Sequence, residues 1–225
     1  MRIITIKLPA ANAHLIHGQT GMILVDAGTR AAVPKLRAAL AHLKVDPAQL
    51  AAVVLTHGHA DHAGGARLLV GPNVPIIVGA LDTPLLTAGH NPPLDPTNLT
   101  ARMIRPFVDR PFDPYQPDIE VHDSIDLTAF GVDAVATVIG GHTPGSLAVV
   151  GLRPGESALV GDLIRGGHMG GALRPGLALR SYYSADTERD LALLRTLLKQ
   201  HQPAALYVGH GGPLPITAAA ALAAA

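Results

Sequence analysis

Between residues 55 and 65 the chain reads LTHGHADHAGG, which places His57, His59, Asp61 and His62 within six positions, between an apolar run and a glycine pair. In an extended loop His57 and His59, two residues apart, leave the same side of the backbone, while Asp61 and His62 belong to the turn that follows. Imidazoles and a carboxylate suit a borderline divalent ion such as zinc. The bland alternative is a polar, histidine-rich loop. A chain with 17 acidic residues in 225 that gathers these donors beside Gly58, Gly64 and Gly65 argues against it. Any metal here takes nitrogen and oxygen donors, because there is no cysteine, which also excludes disulfides, Fe–S clusters and thiolate zinc sites.

The cluster has a defined place in the chain. IITIKL, HLIH and GMILVDAG read as short strands bounded by Pro, Asn and Gly, an opening β-meander. The period then changes: Val33, Leu36, Leu40 and Leu43 predict a helix, with Thr29 as N-cap and Pro34 in the first turn. LAAVVLT follows as a β-branched strand, so the histidines sit in the loop where a buried strand stops. Near the end DTERDLALLRTLLKQH predicts a second helix with Leu191, Leu194 and Leu198 on one face, followed by the strand-like AALYVGHGG. MILVDAG and ALVGDLI are two further apolar strands that each deliver an aspartate. Together these echoes predict an internal repeat of two similar α/β halves. Residues 84–120, with eight prolines and little periodicity, read as a surface excursion, a lid or interface loop. RGGHMGGALRPG, residues 165–176, reads as a flexible element, and TAAAALAAA as a helical or frayed tail.

Four clustered donors rarely complete a catalytic site, and other strand ends supply more: His142 in VIGGHTPGSLAVV, Asp162 in ALVGDLI and His210 in LYVGHGG. Seven candidates exceed the four ligands of a tetrahedral ion, whereas two ions sharing one carboxylate would have four protein ligands each. The count predicts a dinuclear centre. Two ions about 3.5 Å apart hold a water between them, lower its pKa toward neutrality and polarise a carbonyl.

The series His-x-His-x-Asp-His, followed by separated His, Asp and His, resembles the metallo-β-lactamase superfamily over nearly the whole chain. The resemblance implies an α/β fold, a four-layer αβ/βα sandwich with the metals at one edge, in one domain spanning residues 1–225. It implies that His57, His59 and His142 hold the first metal, that Asp61, His62 and His210 hold the second, and that Asp162 bridges them. The expected cofactors are two divalent ions, Zn2+ first, with Fe and Mn as alternatives. β-Lactamases of the superfamily generally carry Cys or Ser at the bridging position, so Asp162 argues against that activity and fits the glyoxalase II, lactonase and phosphodiesterase-like branches. GGHTPGS also resembles glyoxalase II, but the helical region with which that enzyme binds glutathione does not follow His210. Acyl-homoserine lactonases carry a tyrosine shortly after the bridging aspartate. Here Leu163, Ile164 and Arg165 follow, and Tyr182 or Tyr183 is the candidate replacement.

Other polar residues are weighed individually. His168 and Arg174, in the glycine-rich stretch after Asp162, are candidates to meet a substrate. Asp26 in LVDAG resembles a family position that orients a ligand, with a turn-stabilising role as the alternative. His14, His17, His42, His90, His122 and His201 read as surface or loop histidines.

The expected function is hydrolysis of an ester-like bond, thioester or lactone, by a metal-bridging hydroxide, with Asp61 orienting the hydroxide and relaying a proton. The alternatives are a phosphodiesterase or nuclease, an iron-dependent redox or sulfur-oxidising enzyme, a non-enzymatic zinc-binding module and a β-lactamase. Seventeen basic against seventeen acidic residues, 3% aromatics and no Trp count against nucleic acid. The expected partner is a small molecule, and a homodimer is compatible. No apolar run reaches roughly 18 residues, and the N-terminal apolar stretch is interrupted too early for a signal peptide, so a cytoplasmic protein is expected.

Overall fold

The computed structural model describes residues 1–153 and 155–225. Its first sheet has six strands in chain order: β1 (Arg2–Lys7), β2 (Asn12–His17), β3 (Met22–Val25), β4 (Ala52–Val54), β5 (Ile76–Gly79) and β6 (Ile119–Val121). The first three are the expected antiparallel meander, and β3 to β6 run parallel. The helices of this half are α1 (Val33–His42), α2 (Ala60–Ala63), α3 (Ala66–Leu69), α4 (Thr83–Ala88) and α5 (Leu99–Val108). The second half opens with β7 (Ser124–Asp126), β8 (Ala134–Val138), β9 (Leu147–Gly151) and β10 (Ala158–Leu159). A separate hairpin, β11 (Ile164–His168) with β12 (Leu173–Arg180), precedes α6 (Thr187–His201), β13 (Ala205–Tyr207), β14 (Leu214–Pro215) and α7 (Ile216–Ala224). The second sheet has the order β14-β13-β10-β9-β8-β7.

Period-two alternation explains the layering. Leu24 and Val53 turn toward α1 and α3, packing with Leu36, Leu40 and Leu69, while their neighbours Ile23, Val25, Ala52 and Val54 turn the other way. There they meet Ala134, Ala136, Leu147, Val149 and Leu159 of the second sheet. The far face of that sheet, through Ala148, Val150 and Leu206, packs on Leu191, Leu194 and Leu197 of α6 and Ala219 and Ala223 of α7. The result is the expected four-layer αβ/βα sandwich. The repeat is visible too: α1 joins the parallel pair β3 and β4, and α6 joins the parallel pair β10 and β13. Each unit carries its chemistry-bearing residues just past its strand ends, where α/β sheets place ligands.

Several local expectations are corrected. Thr29 makes no side-chain cap; a 3-10 turn at Arg30–Ala32 leads into α1, with Ala32 at the cap position and Pro34 in the first turn as expected. On α6 the buried partner of Leu191 and Leu194 is Leu197, and Leu198 is only partly covered. Residues 84–120 are not a bare loop: α4, α5 and β6 occupy much of the segment. The prolines hid this, although Pro84 lies in the first turn of α4, where a missing N–H costs nothing. Residues 165–176 are likewise held in the β11–β12 hairpin by paired strands. The alanine-rich tail is α7, with Ala219 and Ala223 buried and Ala223 accepting a hydrogen bond from Arg195 Nε. Among the described residues, no helix is long and apolar enough to cross a membrane.

Candidate metal centre

Strand β4 ends at Val54, and two residues later the chain turns through His57 and His59 into α2, which carries Asp61 and His62. Asp26, at the end of β3, holds that turn in place. It adopts a left-handed backbone (φ 61°), which the short polar side chain of aspartate tolerates better than most. Its carboxylate is fully buried and accepts from Thr56 N and Thr56 Oγ1, both at 2.8 Å, and from His62 Nδ1 at 2.8 Å. With its hydrogen given to Asp26, the Thr56 hydroxyl accepts from His57 Nδ1 at 3.1 Å. These bonds fix a ring proton of His57 and of His62 on Nδ1 and turn each Nε2 toward the site.

Asp82, which the sequence did not single out, joins the two halves of the site. Its carboxylate accepts from Gly58 N (2.8 Å) in the first loop and from Thr143 Oγ1 (2.7 Å) and Gly145 N (2.8 Å) in the second. Burial raises its carboxyl pKa against the opposing pull of those donors. Asn12 does similar work for His210, donating from Nδ2 to Val208 O (2.9 Å) and Gly211 O (2.8 Å). In sequence, an aspartate before Thr-Pro and an asparagine in a strand both read as ordinary turn chemistry, with no signal of the distant loop each would reach. Gly209 is required by close approach: a Cβ there would lie 2.1 Å from Asp162 Oδ1 and 2.4 Å from His62 Cε1.

The fold brings all seven sequence candidates together. Donor atoms of His57, His59 and His142 lie within 4.8 Å of one another, as do those of Asp61, His62 and His210, and those of His57, His62 and Asp162. Asp162 lies between the first two groups: Oδ1 is 3.4 Å from His62 Nε2, and Oδ2 is 3.0 Å from His210 Nε2 and 3.9 Å from His142 Nε2. Asp61 Oδ2 is 3.5 Å from His210 Nε2 and 3.8 Å from His62 Nε2.

These residues fit a cation. The Nε2 atoms of His57, His59 and His62 and Oδ1 of Asp162 are buried without a hydrogen-bond partner, which is costly unless another group meets them. His142 donates from Nδ1 to Tyr183 O at 2.8 Å, so its Nε2 is bare, yet it sits 3.0 Å from His59 Nδ1. That lone pair is met by a proton on His59 Nδ1 or by a metal ion between the rings. Burial, reinforced by His62 and the other imidazoles, keeps the His57 pKa well below the ordinary histidine value, and His59 behaves alike with His142 as the main neighbour. Both are therefore neutral, the form that ligates. At His62 burial opposes charge, but Asp162, Asp26 and Asp61 outweigh it and push the pKa up to about 10; at His210 Asp162 does the same in direction. Burial would raise Asp162, but His210 and His62 hold it well below the usual carboxylate range. The carboxylates thus create a field that demands positive charge.

A cavity of about 550 Å³ opens onto Asp61, Asp162 and His210, and Tyr182 and Tyr183 line it. The Tyr183 hydroxyl donates to Ala101 O at 2.8 Å, and the Arg165 guanidinium lies 3.9 Å over the Tyr182 ring. His168 and Arg174 are not brought there: both are exposed and neither lines the cavity, whereas Met169 and Gly170 from the same hairpin do. Of the six histidines read as surface or loop residues, His14 departs from that reading. It is 3% exposed on β2, bonded to Thr5 Oγ1 (3.1 Å) and Val208 O (3.3 Å). The other five, His17, His42, His90, His122 and His201, are exposed or half-buried.

Compared with known families, residues 7–210 match the sequence profile of the Metallo-beta-lactamase superfamily. The chain belongs to that superfamily. Metallo-beta-lactamase structures share its fold at low identity. TTHA1623, solved in a di-iron-bound form, is 25% identical, with TM-score 0.68 over 99% of this chain and 98% of that one. BJP-1, a subclass B3 metallo-beta-lactamase of Bradyrhizobium japonicum, is 19% identical, with TM-score 0.64 over 99% and 88%. The metallo-beta-lactamase family protein TTHA1429 from Thermus thermophilus is 21% identical, with TM-score 0.63 over 99% and 78%. No curated protein sequence matches the chain. Superfamily membership agrees with the donor chemistry in making divalent-metal binding the expected property of this site.

Proposed function

We propose that the protein is a dinuclear metal-dependent hydrolase of ester-like carbonyl compounds, thioesters or lactones, of the glyoxalase II-like or lactonase-like kind. The observation that carries this reading is Asp162, whose two oxygens face His62 on one side and His142 and His210 on the other. His57, His59 and His142 would hold one ion, Asp61, His62 and His210 the other, and Asp162 both. Two such ions, zinc in our reading, supply an acidified water and an electrophile for the carbonyl oxygen.

The chain's own residues do the remaining work. Asp61, the half-buried carboxylate at the cavity floor, would orient the attacking water and relay its proton. Asp26 and the Tyr183 carbonyl fix the rings of His62 and His142, so each presents Nε2 without rotation. Among the described residues, the cavity lining contains no Lys or Arg, which favours a neutral carbonyl over a phosphodiester that would call for guanidinium or ammonium partners.

The test is metal analysis beside hydrolysis of a glutathione thioester, an acyl lactone, a β-lactam and an aryl phosphodiester. We expect about two ions per chain and turnover of one of the first two compounds, with Asp162→Ala lowering metal content and turnover together. Full turnover by Asp162→Ala with a single ion retained would refute the shared carboxylate. A second reading, iron-dependent oxidation, is favoured by the di-iron form of TTHA1623. Iron alone, with oxygen consumption and no hydrolysis, would select it.

A further inference from the structure

The cavity that opens onto His59, Asp61, His142, Asp162 and His210 has two chemically different parts. Beyond the polar floor its wall is formed by Leu94, Ile104, Val108, Met169 and Tyr182. All of it but the exposed Met169 is a packed element. Leu94 and Tyr182 form a small hydrophobic cluster with Ala101 and Tyr183, separate from the three clusters of the sandwich, and Ile104 and Val108 pack against it. Polar groups near the wall are already engaged. Asn91 accepts from Ala60 N (2.9 Å) and donates to Val108 O (3.2 Å), and the Tyr183 hydroxyl is bonded to Ala101 O. Neither nearby cation lines the cavity: Arg165 stacks on Tyr182 and donates to Gly167 O, and Arg105 Nε faces Asp109 at 3.8 Å. The lining that remains offers the uncharged hydroxyls of Thr100 and Tyr182.

We propose that this wall is an acyl subsite and that the substrate carries an uncharged, apolar acyl chain, an inference that rests on the hydrolase reading above. An alkyl chain laid on the wall removes apolar surface from water on both sides of the contact, whereas a charged terminus there loses its hydration and meets no counter-charge. A volume of about 550 Å³ suits a small-molecule ligand several bonds longer than the reacting ester.

The test uses butanoyl, hexanoyl and octanoyl thioesters with one leaving group, together with an octanoyl analogue bearing a terminal carboxylate. We expect kcat/KM to rise about fourfold per added methylene and the carboxylated analogue to fall to the butanoyl value or below. Ile104, at the half-buried edge of the wall, gives two variants: Ile104→Ala should flatten the dependence on chain length, and Ile104→Asp should abolish it. Thermal midpoints show that each variant is folded, and Ile104→Ala decides if Ile104→Asp is not. In parallel, calorimetry compares N-methyloctanamide with its ω-carboxylate, and we expect the neutral amide to bind at least tenfold more tightly. If no ester is hydrolysed but the neutral amide still binds at least tenfold more tightly than its ω-carboxylate, the hydrolase reading fails and the subsite stands. Hydrolysis indifferent to chain length, equal binding of the charged analogue, or no binding of either amide would overturn the subsite.

Discussion

At the scale of single residues, His14 shows how little a side chain's type says about its surroundings. It occupies an ordinary alternation on β2, yet the second half of the molecule closes over it, and Val208 O accepts from its Nε2. Burial lowers its pKa to about 4, against the weaker upward pull of Asp26. Because the folded value lies below the unfolded one, the unfolded chain binds the proton more readily in between. The neutral ring's contribution is therefore complete above about pH 6.5 and is lost as pH falls toward 4. In chelator, to keep metal loss out of the comparison, wild type should lose about 2 kcal/mol more stability than His14→Gln between pH 7 and pH 5. Denaturant titrations at the two pH values measure this, and parallel losses in both proteins would show that His14 is not the titrating group. At the same scale the ligand-type residues were legible because donors crowd at strand ends. Asp82 and Asn12 were not, because their roles lie in partners 24 to 63 and 196 to 199 residues away.

At the scale of elements, the site is made of loops that could not hold themselves. The His57–His59 turn and the His142–Gly145 turn leave backbone N–H groups pointing inward, and Asp82, in the turn after β5, satisfies one from each. Asp82→Ala should strip acceptors from Gly58 N, Thr143 Oγ1 and Gly145 N, destabilising the fold by an amount on the order of 3 kcal/mol. Metal affinity should fall about 10- to 100-fold, as when an outer partner of a ligand is removed. Unfolding curves and a competitive chelator titration read the two effects separately, and Asp82→Asn should recover part of each. Unchanged affinity in a folded Asp82→Ala protein would make the residue structural only. The same scale explains the misread segment 84–120. Ala101, Ile104 and Val108 recur at helical spacing in α5, but eight prolines in the surrounding stretch masked the pattern. What fixes this helix is the late-arriving Tyr182–Tyr183 pair, which gives its apolar side something to cover.

At the scale of the whole molecule, the candidate ligands are divided between the halves: His57, His59, Asp61 and His62 follow the first sheet, and His142, Asp162 and His210 follow the second. Bound cations would therefore tie the two sheets together along one edge, and binding would stabilise the native state by linkage. At free metal about 1,000 times Kd, one ion contributes about 4 kcal/mol, which for a chain of this size raises Tm by roughly 10 °C. Removing metal with a chelator should lower Tm by at least that amount, with a smaller drop for Asp162→Ala; differential scanning calorimetry gives both. No change in Tm after two ions are stripped would contradict a cation link between the halves. The sequence by itself determined the donor chemistry, the strands that end in it and the repeat that pairs two α/β units, because hydrophobic period and residue type are local properties of the chain. Only the tertiary structure decided which distant groups meet: the carboxylate of Asp82 between two loops, His14 under β13, and the apolar wall beside the metal residues. Those depend on how two sheets close on each other, and contacts across that closure leave no period in the sequence to read.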